Sequence, residues 1–362
     1  MATARAAQSS GEEEGDDVYA LILAEAIEHG VDVQRFTAGL LALILATWRP
    51  FRSRLVGDLI SDAQGIANRG DRVRRQKNYK RLVQRAKDTI GEGVDAIRRK
   101  LLPQLRELAK IEATWTFETF SDVLEPRFML GRLHPSAAEA IVNSRPVFGK
   151  DLTEWLEALQ TKTEADVVQA ITLGFTEGES PEQIAQRLVD KSNGRLKPAD
   201  TDIEKLVTTA AHGVSENARQ AVYEANRAVF DESEWTAVLD DHTCVVCGTL
   251  DGESWPIDEG PRAPIHPRCR CSRLPKIPGA TGGTRATMNG PVYGETTLAD
   301  WLATQPVEVQ ERVLEGKERA RLFREGKLDG LNPKLMLDAN NRPVNLTELR
   351  RRIANRSRRT QR

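Results

Sequence analysis

Residues 235–271 read WTAVLDDHTCVVCGTLDGESWPIDEGPRAPIHPRCRC, and all four cysteines of the chain fall inside this stretch. A disulfide framework would spread its cysteines to staple distant segments. Clustering at short spacing instead points to metal in a reducing compartment. Cys244-x-x-Cys247 forms a clip whose thiolates can face one ion while nearby backbone N–H groups point at the sulfurs. His266-x-x-Cys269 and Cys269-x-Cys271 supply the second clip. Five candidates, Cys244, Cys247, His266, Cys269 and Cys271, thus compete for the four places of a tetrahedral site. The favoured set is Cys244, Cys247, His266 and Cys269, with Cys271 as substitute or neighbour. An all-cysteine set with His266 hydrogen-bonding from outside stays open. Thiolates with at most one imidazole select zinc over magnesium or calcium. A filled shell leaves no position for a catalytic water, so about one structural Zn2+ per chain is expected.

Other readings of the stretch are weaker. Reduced cysteines packed as small hydrophobes do not explain the spacing or the polar, proline-rich setting. A redox pair lacks a surrounding βαβ pattern. His242 reads as a turn residue, and Asp240, Asp241 and Asp251 as turn residues rather than a carboxylate cluster. Trp235–Leu239 alternates as a strand does, Asp251-Gly252 marks a tight turn, and Pro261, Pro264 and Pro267 stiffen the loop into His266. Residues 232–277 therefore read as a compact module of short strands.

Outside the module the chain reads helical. Its 362 residues are 40% hydrophobic and 29% charged but only 5% aromatic, so its core rests on Leu, Ile, Val and Ala. Apolar residues at helical spacing run from Val18 to His29, with Gly30 as an end. They resume through Phe36, Leu40, Leu43 and Ile44, where Pro50 marks the stop. Pro126, Pro135 and Pro146 divide later pieces, and Ser136 is a plausible N-cap. Ser180-Pro181 opens a helix that Asn193-Gly194 closes, and a long helix follows from about Thr201 to Phe230. Thr297 caps LADWLA and Pro306 opens another helix. The expected fold is mainly α, with a small zinc-stabilised α+β module and an extended multi-helix N-terminal region. The expected division is a disordered acidic N-terminus at 1–16, helices over 17–150 and a domain over 151–278 that carries the module. A linker at 279–293, helices over 294–349 and a basic tail at 350–362 follow.

The net charge of −1 hides local segregation. Between Arg69 and Lys100 there are twelve basic residues against four acids, and seven arginines lie between Arg350 and Arg362. Both segments are candidates for contact with DNA phosphates or an acidic partner. Tyr79 is the only aromatic of the first, so base stacking is not indicated. No secretory signal is visible. The longest apolar run, Ala38–Trp48, is about half what a bilayer needs, so no membrane partner is expected. No phosphate-binding GxxxxGK[ST], GxSxG or HExxH motif is present, and no catalytic or cofactor-binding residue is assigned.

The stretch from Trp235 to Cys271 resembles the phage head morphogenesis proteins, the Mu F-like minor head proteins of tailed bacteriophages. The matching positions are Trp235, Leu239, Asp240, Thr243, Cys244, Cys247, Leu250, Asp251, Gly252, His266, Pro267, Cys269, Arg270 and Cys271. Weaker similarity extends upstream through IAQRLV and the helix ending near Asn226, and downstream through DWLATQP and VLEGKERARLFREGKL. Where the family's long helix carries Ala-Arg-Thr-Glu, this chain reads Ala211-His212-Gly213-Val214, so that stretch's role is not carried over. The resemblance implies a non-enzymatic protein of the virion and, during assembly, the host cytoplasm. It would associate with portal or capsid proteins and act in head assembly, DNA packaging or delivery. The competing reading is a zinc-containing, HNH-like nuclease, with His242, Asp240, Asp241 and Asp251 as a second site.

Overall fold

Two long helices, α1 (Ala2–Ala67) and α2 (Arg72–Leu124), pack against each other along their apolar faces. The computed structural model describes residues 2–67, 72–124, 129–179, 181–189, 196–277 and 284–360. Leu40, Ile44, Trp48, Leu55 and Leu59 of α1 are buried, as are Leu82, Ala86, Ile90, Val94, Ile97, Leu101, Leu105 and Leu108 of α2. Both rows keep the three- and four-residue spacing of one helix face. Gly93 lets the helices approach: a Cβ there would lie 2.6 Å from the Trp48 ring.

Several expected helix ends are absent. α1 runs through both Gly30 and Pro50. A proline removes one backbone hydrogen bond, at a cost of about 3 kcal/mol. Burial of Trp48 and Leu55 on either side of Pro50 offsets that cost. Residues 1–16, expected to be disordered, are helical from Ala2 onward as part of α1. The stretch His29–Ser61 has the length and mean hydropathy, 1.3, of a membrane-crossing segment, which the short run around Leu43 does not suggest. Part of its surface instead packs on α2.

α3 (Pro135–Ser144) is capped by His134, whose ring accepts from the Ser136 N–H; Ser136 itself is inside the helix. α4 (Leu152–Glu177) opens on a capping box between Asp151 and Glu154. α5 (Pro181–Val189) and α6 (Lys197–Ala225) complete the helical body. The expected break at Pro126, cap at Ser180 and stop at Asn193-Gly194 lie outside the described residues. One apolar core runs from Leu40 to Ala221 and includes Ile141, Leu156, Ile171, Leu188 and Leu206. The expected domain boundary at 150 therefore cuts through a single core.

A second core begins at Trp235. Strands β1 (Glu232–Thr236), β2 (Ser254–Pro256) and β3 (Ser272–Pro275) form an antiparallel sheet in the order β2-β1-β3. Glu234 sits opposite Ser254 on one side and Leu274 on the other. Helix α7 (Val245–Leu250) lies between β1 and β2 in sequence. Of the expected linker, 284–293 is a hairpin of β4 (Thr284–Thr287) and β5 (Gly290–Tyr293), while 279–283 lies outside the described residues. Helices α8 (Leu298–Ala303), α9 (Val307–Val313), α10 (Lys317–Arg324), α11 (Pro333–Met336) and α12 (Leu346–Thr360) follow. Trp301, Leu302, Leu314, Leu328, Met336 and Leu349 from these helices and their connections share the core of Trp235, Leu239 and Cys247. The module and the C-terminal helices are thus one packed unit, not two joined by a linker. The basic tail is helical through Thr360 as part of α12.

Candidate metal centre

Cys244 ends the loop after β1 and caps α7, its sulfur accepting from the Cys247 N–H at 3.4 Å. This local geometry turns both sulfurs to one side. Cys269 and Cys271 sit just before β3, and His266 enters from the proline-rich loop. The His266 Nδ1 lies 2.9 Å from the Pro267 carbonyl and donates to it, which turns Nε2 toward the sulfurs. That Nε2 is 3.3 Å from the sulfurs of both Cys244 and Cys247. The sulfurs of Cys247 and Cys269 are 3.8 Å apart.

Ligand atoms converge in two overlapping groups, Cys244–Cys247–His266 and Cys247–Cys269–Cys271, each within 4.8 Å of one another. Cys247 belongs to both. Zinc–sulfur bonds of about 2.3 Å and zinc–nitrogen bonds of about 2.0 Å in a tetrahedron give sulfur–sulfur separations of about 3.8 Å and sulfur–nitrogen ones of about 3.6 Å. The observed distances fit such a site. Among the described residues, no other His, Cys, Asp or Glu group converges this way.

The electrostatics point the same way. Hydrogen bonding from Cys247, against the effect of burial, pulls the Cys244 thiol down to about 4. The Cys269 thiol is pulled down by Cys247 and Cys271, while Cys247 is pushed up by Cys244 and Cys269. Cys247 lowers Cys271, but Cys269 and burial push it well above its ordinary value. The Cys244 contact raises His266 to about 11. Sulfurs this close cannot all ionise by themselves, because each thiolate disfavours the next. A divalent cation among them removes that conflict, which is the chemistry a thiolate-rich donor set suits.

Polar residues of α6 hold the loop that carries these ligands. Glu204 pairs with Arg268 at 2.9 Å, and the Thr209 hydroxyl accepts from the Arg268 N–H at 3.2 Å. The His212 Nε2 lies 2.8 Å from the Cys271 carbonyl. Glu216 accepts from the Arg273 N–H at 3.1 Å, Gln220 donates to the Ile257 carbonyl, and Glu224 pairs with Arg262 at 2.9 Å. Glu204, His212, Glu216, Gln220 and Glu224 fall on multiples of four residues, one line along a helix. His212 is the residue that motif reading missed. Burial lowers its pKa, but the Cys269 sulfur and the Glu216 charge more than compensate and raise it. The available signal was this polar line at four-residue spacing along the helix.

The motif's aspartates have structural work. Asp240 takes a two-pronged ion pair from Arg270 at 2.6 and 2.8 Å and accepts from the His242 N–H. Asp251, read from sequence as a turn residue, is buried. It binds Arg285 at 2.6 and 3.0 Å and accepts from the backbone N–H groups of Ala237 and Leu298, each at 2.6 Å. It therefore joins β1, β4 and α8, while Gly252 beside it takes φ 81° to complete the turn. Asp241 faces His242 at 2.6 Å and pairs with Arg312. Each carboxylate is engaged by a different cation, so the three form no second metal site. Gly248, after Cys247, faces Leu298; a Cβ there would come within 2.1 Å of its side chain.

No curated protein and no solved structure matches the chain. Residues 165–274, from within α4 to β3, match the family described as Phage Mu protein F like protein. This match, less than a third of the chain but containing every Cys/His ligand candidate, supports a place for the segment in the phage head morphogenesis family.

Proposed function

We propose that this chain is a minor head protein of a tailed phage. It acts in head assembly, DNA packaging or delivery at the portal or an adjoining capsid surface, and it carries one structural zinc. The family matched over 165–274 is structural rather than enzymatic, and that supports a role by binding rather than turnover. The single observation that carries the reading is the convergence of Cys244, Cys247 and His266 with Cys269 and Cys271, in two groups that share Cys247, inside the matched segment.

In this reading those four residues hold the ion and Cys271 stands beside it. The zinc supplies fixed positive charge that keeps the thiolates together and ties the His266 loop to α7. The chain's own residues do the rest: His266 is oriented by the Pro267 carbonyl, and α6 fixes the loop through His212, Thr209 and Glu216. No observation favours a nuclease, because Asp240, Asp241 and Asp251 are each held in separate ion pairs.

The test has two readouts. Metal analysis of the purified chain should give about one zinc, as a single tetrahedral site requires. Cys244→Ser and Cys269→Ser should lose it, and Cys271→Ser should retain more. Heads assembled with the Cys244→Ser chain should incorporate less of it than of the wild-type chain. Zinc absent from the wild-type protein would remove the metal from this reading. Normal incorporation of a zinc-free chain would remove its structural role.

A further inference from the structure

We infer that the first turns of α2 bind duplex DNA through its phosphates, and that the arginine-rich C-terminus does not. The sequence nominates both segments, and the structure separates them. In α12, Arg350 pairs with Glu318 at 2.8 Å, Arg351 and Arg352 with Glu348 at 2.7 and 2.8 Å, and Arg356 with Asp329 at 2.5 Å. Arg352 also donates to the carbonyls of Lys334 and Leu337. These contacts staple α12 onto α10, α11 and the loop at 329. Four of the tail's seven arginines thus already have carboxylate partners within the protein.

The N-terminal part of α2 is different. Lys77, Lys80, Arg81 and Lys87 are exposed, and among the described residues none of the four has a carboxylate partner. The apolar residues between them, Leu82 and Ala86, are buried in the body, so the cations share the outward side. No acid interrupts the run from Lys77 to Lys87; the next, Asp88, accepts from Gln84 at 2.9 Å. At about 1.5 Å per residue the run spans about 15 Å. Duplex DNA carries about one negative charge per 1.7 Å of its axis, so about nine phosphate charges lie along that length.

The side-chain chemistry identifies the kind of contact. Three of the four cations are lysines, flexible point charges suited to phosphate rather than to the two-pronged reading of a base edge. Tyr79 is not free to stack on an unpaired base. Its hydroxyl lies 2.7 Å from the Thr172 hydroxyl and its ring packs on Phe175, centroids 5.2 Å apart. Single-strand binding needs such aromatic platforms, so an intact duplex fits this surface better. The stripe lies outside residues 165–274 and needs no metal, so its failure leaves the head-protein reading intact.

The decisive experiment titrates the full chain against a fluorescent random-sequence DNA duplex at several salt concentrations. Three proteins are compared: wild type, the quadruple variant Lys77→Gln/Lys80→Gln/Arg81→Gln/Lys87→Gln, and the α12 variant Arg351→Gln/Arg358→Gln. Sodium polyglutamate serves as competitor. The quadruple variant should bind at least about tenfold more weakly at low salt, with a log–log salt slope flatter by about three to four. The α12 variant should change little, and polyglutamate should compete poorly. Replacing Lys77, Lys80 and Lys87 by Arg should keep both affinity and slope. Unchanged binding in the quadruple variant, or loss confined to the α12 variant, overturns the assignment. Polyglutamate displacing DNA at equal charge would show that the surface serves an acidic protein instead.

Discussion

The helical body and the unit around the Cys/His cluster solve the same problem with different chemistry. The body from Leu40 to Ala221 buries long rows of Leu, Ile, Val and Ala on wide helix faces. The unit from Trp235 to Leu349 has strands of only three to five residues and several helices of four to eight. Short strands and helices bury little surface on their own, so they need cross-links. Here the cross-links are the sulfur cluster, Asp240–Arg270 and Asp251–Arg285. A core built on many similar contacts tolerates the loss of one. A unit built on a few links does not.

Removing the link shared by both sulfur groups should produce the largest effect. Cys247→Ser should abolish zinc binding and cost the unit more than about 5 kcal/mol, since a structural zinc supplies on the order of 10 kcal/mol of folding free energy. Hydrogen exchange should show residues 235–277 opening while α1, α2 and α6 stay protected. Simultaneous loss of protection in both regions would break the distinction between them.

Asp251→Asn keeps the side chain's shape but removes the charge that Arg285 meets in the interior. Leaving one partner of a buried pair alone costs about 3–5 kcal/mol. Chemical denaturation followed by tryptophan fluorescence should report it through Trp235 and Trp301, which are buried in the same core. A cost below about 1 kcal/mol would show that the Asp251–Arg285 pair is not one of the links that hold the unit together.

The body has one comparable feature, and it sharpens the comparison through acid. Burial pushes the Glu112 carboxyl up, but the charge of Arg219 and the hydrogen bonds from His29 and Ser215 bring it down to about 2, from 4.5. A depressed carboxyl contributes stability above its unfolded pKa and loses it as pH falls through the folded one. The body should therefore lose on the order of 3 kcal/mol between about pH 4.5 and pH 2. Glu112→Gln should flatten that acid limb in circular dichroism titrations; an equally steep limb in the variant would assign it to other groups.

Gly248→Ala should have the smallest effect of the four. The added Cβ meets Leu298, which must shift in a packed core, at about 1–3 kcal/mol. The same change at Gly39 on the body, where a Cβ meets nothing, should be neutral or slightly stabilising. Melting temperatures of the two variants check the pair.

The metal candidates were legible because chelation is local: two residues between cysteines fix what they can face. The helix start at Thr297 was legible because a capping box is a four-residue event. Other expectations failed where distant packing decided the outcome. Pro50 lies inside α1, and the supposed linker pairs as a hairpin whose Arg285 reaches Asp251. Asp251 looked like a turn residue because its three partners lie 14 to 47 positions away.

The sequence by itself determined the helical class, the Cys/His cluster and the family resemblance of its surroundings. Spacing and period are properties of neighbours along the chain. Only the tertiary structure decided where one core ends and the next begins, and that His212 braces the cluster. It also decided that Arg350, Arg351, Arg352 and Arg356 pair within the protein, while among the described residues Lys77, Lys80, Arg81 and Lys87 have no carboxylate partner. Those outcomes depend on which surfaces meet. A residue's charge is written in the sequence, but whether that charge is already satisfied depends on what folds beside it.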